Sequence, residues 1–380
     1  HVVLCLFAGG IRSFESTEMR EGNLMPNLLA GDAPISSDIR DGIEEAPPVL
    51  TRPLQHSGTL FSAFRYASPI TLHYNGHASY MIGRYANTVE MMKPIHSPTV
   101  FELFRKHSPH CPDALNAWWV SDQAGPFPYL RHSSDDRYGL DYAANMVQPS
   151  ALLNSGVLQV EDQPGLARHV RAMAQLIDEP STNQVHLNGP KARERIMDVL
   201  DRLQTDHARG PLWDVPYQPN DDLTNMYTAS LILREFRPEL LVVNMQDSDI
   251  GHSDFTGYCN NLHKADHAAA RLWQTIQNDP ALRDDTVMIL VPEFGRNATP
   301  NTVRDRFGRL AVDHTGDEVS QRIFSLIAGP DHIVRHDRVE TAHAEAVDIL
   351  PTIARILGFH DQVPPHTFTG RFLHEAFVDA

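Results

Sequence analysis

The run Leu240-Leu-Val-Val-Asn244 is apolar almost throughout, and it leads directly into Asp247-Ser-Asp-Ile-Gly-His252. Such a run reads as a strand buried on both faces, the kind found in parallel sheets with helices on each side. A buried strand that ends in two carboxylates and an imidazole presents metal ligands at the carboxyl edge of that sheet. The rest of the chain repeats the pattern. Strands are expected at residues 2–7, stopped by Ala8-Gly-Gly10, at 286–291, leading into Glu293-Phe-Gly-Arg296, and at 323–330, stopped by Gly-Pro. Helical spacing marks 75–85, 166–177, 192–203, 221–236, 258–276 and 346–357, the last ended by Gly358. Strands alternating with helices give an α/β fold with a mainly parallel central sheet. The reading is one domain over residues 1–380. Its insertions fall at about 32–53, rich in Asp, Glu, Pro and Gly, and 109–163, Pro-rich and containing Trp118-Trp119.

Composition narrows the partners. A net charge of -16 disfavours nucleic acid, because a phosphate-binding face needs clustered Lys and Arg. No stretch reaches the roughly 20 apolar residues of a membrane span. The three cysteines, Cys5, Cys111 and Cys259, form no CxxC pair and no disulfide framework, and Cys5 in its apolar run reads as a small core residue. The chain opens on His1, which is compatible with a cleaved secretory signal, truncation or cytoplasmic processing. Oligomerisation stays open.

Three segments offer polar residues that a parallel sheet can bring to one edge: Asp247, Asp249 and His252; Glu293 and Arg296; and Asp313-His314. Mixed carboxylate and imidazole ligation suits zinc, manganese or iron. Asp and His at strand ends also serve as turn and helix caps, so each motif alone has a structural reading. Arg296 is a candidate for holding an anionic substrate in a bidentate way or for pairing with a carboxylate. His73 and His77 are candidates for a replacement ligand or an acid/base pair. Arg12, Glu15 and Ser16 follow the first strand as turn residues that could line the site, and His343 reads as a cap or surface residue.

The order of these pieces resembles the alkaline phosphatase superfamily, which includes sulfatases, nucleotide phosphodiesterases and cofactor-independent phosphoglycerate mutases. Met25-Pro-Asn-Leu-Leu-Ala30 is similar to the family's TPNLxxLA element, and Gly76-His-Ala-Ser-Tyr-Met-Ile-Gly-Arg-Tyr85 to the helix after the nucleophile. Asp249-Ile-Gly-His252 resembles the Asp-rich GH ligand motif, and Val291-Pro-Glu-Phe-Gly295 sits where SDHG is expected. Asp313-His-Thr-Gly316 resembles the segment of the final ligand His, and the stretch from Asp348 to Gly358 the closing helix. The EFGR variant, with GG at the start, resembles an uncharacterised and often secreted sulfatase-like branch. That favours a periplasmic or extracellular location and leaves a cytoplasmic one open.

The resemblance implies half of a two-metal site: Asp249 or Asp247, with His252 and His314, holding one divalent ion per chain, zinc, manganese or iron. For the other half, Gly9-Gly10 stand where an Asp ligates, His73 lies near the nucleophile position, and Phe294 replaces a His. Glu293 remains as an oxygen donor or base, and Thr71 serves as nucleophile only if the loop register shifts. The implied function is metal-dependent hydrolysis of a small anionic phosphate or sulfate ester. The alternative is a catalytically degenerate relative that acts as a binding or structural subunit for a protein partner.

Overall fold

The computed structural model describes residues 1–90, 93–110, 113–123, 125–153 and 188–378. Eight strands form one sheet: β1 (Val2–Phe7), β2 (Gly58–Arg65), β3 (Ala117–Val120), β4 (Asn145–Val147), β5 (Leu240–Met245), β6 (Val287–Pro292), β7 (Arg322–Ala328) and β8 (Arg338–Glu340). Their order is β4-β3-β5-β1-β6-β7-β2-β8. β1 lies between β5 and β6 and pairs parallel with both, and β3 pairs parallel with β4 and β5. β7 runs antiparallel to β6 and β2, and β8 pairs parallel with β2. The sheet is therefore mostly parallel, with one reversed strand.

Alternation along β1 divides the core. Val3, Cys5 and Phe7 face one apolar cluster, and Val2, Leu4 and Leu6 the other. Helices cover both faces. On the first lie α3 (Pro190–Arg209), α4 (Asp221–Phe236) and α5 (Phe255–Asn278); on the second lie α1 (His73–Ile82), α2 (Val100–His107) and α6 (Ile349–Ile356). Local chemistry sets their starts. The Asn220 side chain accepts from Leu223 N ahead of α4, and Asp254 from Gly257 N ahead of α5, satisfying donors that a helix leaves unpaired. The apolar stripe read from the sequence of α5, Leu262, Ala265, Ala269, Leu272 and Trp273, faces the core. Among the described residues no helix is long and apolar enough to cross a membrane.

Some expectations change. The stretch 109–163, read as an insertion, supplies β3 and β4, in which Trp118 and Trp119 are buried sheet residues. β2 carried no clear signal because its far end, Ser62 to Arg65, is only partly covered and breaks register with β7. The helix expected over 166–177 lies outside the described residues. Asp313 and His314 do not follow a parallel strand. They precede β7, whose reversed direction brings its amino end to the edge where β6 finishes.

Candidate metal centre

The 3-10 turn Asp247–His252 follows β5 directly. With three residues per turn, positions i and i+3 lie over one another, so Asp249 and His252 share a side. Asp249 Oδ1 lies 3.3 Å from His252 Nε2, 3.1 Å from His73 Nε2 and 4.0 Å from His314 Nε2. The Nε2 atoms of His73 and His314 are 3.1 Å apart. One donor atom from each of these four residues lies within 4.8 Å of all the others. His73 begins α1 beyond β2, and His314 comes from the segment before β7, so three separate stretches meet at the sheet edge.

Asp247 points elsewhere. Its carboxylate accepts from Asp222 N at 2.9 Å, at the start of α4, while Asp222 accepts from Gln246 N and Asp247 N. The sequence left Asp247 and Asp249 as alternatives, and the tight turn places Asp249 in the cluster and commits Asp247 to a helix start.

Each imidazole is held from behind in its own way. His252 Nδ1 donates to Asp313 Oδ1 at 2.6 Å, and Asn301 Nδ2 donates to the same oxygen at 3.1 Å. His73 Nδ1 donates to Glu293 Oε1 at 2.5 Å, and Gly9 N donates to that oxygen at 2.6 Å. A carboxylate at Nδ1 fixes the tautomer and leaves the Nε2 lone pair free to face a cation. His314 Nδ1 is buried without a hydrogen-bond partner, and its ring packs against Phe294 with centroids 4.6 Å apart. Glu293 is fully buried and sits behind His73, outside the four converging donors. His77 is also fully buried. Its Nε2 lies 2.7 Å from Asn244 Oδ1 and its Nδ1 2.8 Å from the His73 carbonyl, with Glu293 Oε2 at the same distance but outside hydrogen-bonding alignment.

Electrostatics follow this arrangement. Burial opposes charge on Asp249, but hydrogen bonds from His252 and His73 and the neighbouring charges hold its carboxyl far below the ordinary range. Burial likewise opposes ionisation of Glu293, and the charges of His73 and His77 bring it down to about 2. For His73 burial is outweighed by Glu293 and Asp249, which raise it to about 10, whereas burial and the charges of His73 and Arg296 lower His314 to about 4. A cation competes with protons for the same nitrogen lone pairs.

The donor set fits a metal. Three imidazole nitrogens and one carboxylate oxygen match the tetrahedral preference of zinc, for which ligands at roughly 2.0–2.1 Å stand about 3.3 Å from one another. The two carboxylate-backed imidazoles match the outer support that metal-binding histidines receive. Among the described residues this is the one such cluster, and Asp249, with a side chain 43% exposed, opens it to solvent.

Two sequence-derived candidates take different roles. Arg296, expected to hold an anion, is fully buried and donates to the carbonyls of Gly9, Gly10, Ser248 and Val312 and to Asp249 Oδ1 at 3.1 Å. Its donors are committed to tying strand ends together and steadying Asp249. The Thr71 hydroxyl is buried and donates to the His314 carbonyl at 2.5 Å, so it is engaged rather than free to attack. The turn after β1 leaves no room for a side chain. Gly9 has φ +94°, and a Cβ there would lie 2.5 Å from Asp249 N. Asn301, which steadies Asp313, was missed because it sits in the irregular stretch between β6 and β7 and carries no pattern. His343 lies on the surface beside Glu345, as its sequence position suggests.

No protein-family model matches the sequence, and no curated protein matches it either. Solved structures do. A four-substitution mutant of the alkaline phosphatase PafA matches with TM-score 0.52 and 10% identity, over 99% of this chain and 99% of that one. Wild-type PafA matches with TM-score 0.50 and 11% identity over the same shares. A protein in the alkaline phosphatase superfamily from Vibrio parahaemolyticus matches with TM-score 0.50 and 13% identity, over 98% of this chain and 69% of that one. The sheet, its covering helices and these matches agree, and the chain has the alkaline phosphatase-like fold.

Proposed function

We propose that the chain is a metal-dependent hydrolase of small phosphate or sulfate esters, working with a single divalent ion. The observation that carries this reading is the convergence of His73, Asp249, His252 and His314, with carboxylates behind two of the imidazoles. A divalent ion bound there supplies Lewis acidity toward an ester oxygen and lowers the pKa of water. The chain's residues do the rest. Glu293 and Asp313 keep His73 and His252 in the ligating tautomer, Arg296 holds the Asp249 carboxylate in place, and Phe294 screens the inner side of His314 and His73. No protein nucleophile is assigned, because Thr71 is engaged and His73 belongs to the cluster.

One observation favours a second reading. Four protein donors complete a tetrahedral shell, as in structural sites, whereas catalytic sites keep a position open. A closed shell fits a binding or structural subunit that has lost the reaction. Two measurements test these readings. Elemental analysis is expected to give about one zinc, manganese or iron per chain in wild type and none in His252→Ala/His314→Ala. In the cobalt-substituted protein, a visible spectrum that shifts on adding inorganic phosphate supports the hydrolase and justifies an ester screen. Metal present with a spectrum indifferent to phosphate supports the subunit. No metal in wild type defeats the hydrolase and leaves the subunit, held together without an ion.

A further inference from the structure

A cavity of about 460 Å³ opens beside the centre. Val312 lines it, and the next residue, Asp313, holds His252. Its floor is apolar, with Phe14, Phe255 and Leu310, and its rim carries Arg20, Arg304 and Arg309. Arg12 and Glu15, which the sequence left as turn residues, form the rigid inner wall. Both are buried, and they pair through two hydrogen bonds of 2.8 and 2.6 Å. Four arginines and two glutamates line this cavity; Arg12, Arg20 and Arg309 each meet a carboxylate, and Arg304 is the lining cation that meets none among the described residues.

The rim arginines are positioned rather than loose. The Arg20 guanidinium lies 3.2 Å over the centroid of Phe14, and that of Arg309 lies 4.9 Å over Phe255. Stacked guanidinium groups keep their N–H edges available for an anion. Arg309 is held by Glu21 and Asp38. Arg20 pairs with Glu18, but both side chains are exposed, and such pairs contribute little and exchange readily. Arg304 donates to the Gly308 carbonyl and meets no carboxylate among the described residues. The volume lies in the range of small-molecule sites, where apolar walls carry a few fixed polar groups.

We infer that this cavity binds a small organic anion bearing an apolar ring, with Arg20 and Arg304 holding the anionic group and Phe14, Phe255 and Leu310 holding the ring. The binding does not depend on the metal centre. The anion is either a second charged group of an ester substrate or a free effector, and both share this chemistry.

Calorimetric titration of phenylphosphonate into the full chain tests it, with wild type, His252→Ala/His314→Ala, Arg20→Ala/Arg304→Ala and the two combined side by side. Both substituted arginines are surface residues, and circular dichroism checks that the variant folds. We expect the metal-ligand variant to bind phenylphosphonate at this cavity, Arg20→Ala/Arg304→Ala added to that variant to weaken the binding at least tenfold, wild type to show this site beside any metal-bound phosphonate, and benzyl alcohol, which lacks the charge, not to bind. Unchanged binding when the arginine substitutions are added to the metal-ligand variant, or no binding in the metal-ligand variant itself, overturns the inference. Because the metal-ligand variant lacks the centre, this outcome is separate from that of the hydrolase reading. Where turnover is found, a raised KM for bis-anionic but not mono-anionic esters in the arginine variant marks a substrate subsite. An unchanged KM for both marks an effector site.

Discussion

At the scale of single residues, the centre depends on groups that touch no cation themselves. Glu293 is fully buried, and its Oε1 receives both His73 Nδ1 and Gly9 N. Glu293→Gln keeps the volume and an acceptor oxygen but removes the negative charge, so His73 loses its charge-assisted hydrogen bond and its Nε2 becomes a weaker donor to a cation. Loss of such outer partners typically lowers metal affinity about 10–100-fold. We expect Glu293→Gln to weaken zinc binding by that factor in a competition titration with a chromophoric chelator, and His73→Ala to weaken it further. Equal affinity in wild type and Glu293→Gln would remove His73 from the coordination shell. A second residue-scale effect lies away from the centre. The Asp266 carboxylate accepts from Asn27 N, Asn27 Nδ2 and Leu28 N, yet full burial raises it to about 7. Its folded-state pKa is above the unfolded value near 3.9, so the native state holds the extra proton between the two. Stability contributed by this group is complete below about pH 4 and is lost as pH rises to about 7. Urea midpoints measured across that window are expected to fall in wild type, and the Asp266 share of the slope to vanish in Asp266→Asn, which is also less stable throughout.

At the scale of elements, the turn after β1 excludes a side chain at position 9. Gly9 and Gly10 both have positive φ, and the carbonyls of both accept from Arg296. A side chain at position 9 meets the backbone of the turn that carries Asp249, which cannot give way without moving a ligand. Gly9→Ala is expected to cost about 2–5 kcal/mol, combining the left-handed backbone penalty with overpacking. Gly9→Asp, although it restores the residue type of the resembling family, is expected to leave the metal count at no more than one; two metals per chain would contradict the packing argument. The same elements show what the sequence could convey. β1, β5 and β6 were legible because strands buried on both faces are apolar throughout. β2, β3 and β4 were not, since a half-covered strand and strands of a few residues carry too little pattern. Asp249, His252 and His314 were legible through their order along the chain. The choice of Asp249 over Asp247 was not, because it depends on a 3-10 turn, and the burial of Arg296 depends on carbonyls from the turns after β1 and β5 and from the segment before β7.

At the scale of the whole molecule, the centre joins distant parts of the chain. His73 and His314 are 241 residues apart, and Asp249 and His252 come from a third segment after β5. An unfolded chain cannot assemble these donors, so a cation that binds them binds the native state alone. Its binding free energy then adds to folding stability as RT ln(1 + [L]/Kd), about 2.7 kcal/mol when free metal stands at 100 times Kd. Chelator-treated protein is therefore expected to unfold at lower denaturant than protein reloaded with zinc, with an unchanged m-value, because the fold itself is the same in both. The gap should widen with free zinc in the logarithmic manner of a single site. His252→Ala/His314→Ala removes two of the four donors and should show no zinc-dependent shift. A shift that persists in that variant would place the cation elsewhere. Its absence in wild type would mean that the three segments meet at this edge for packing alone.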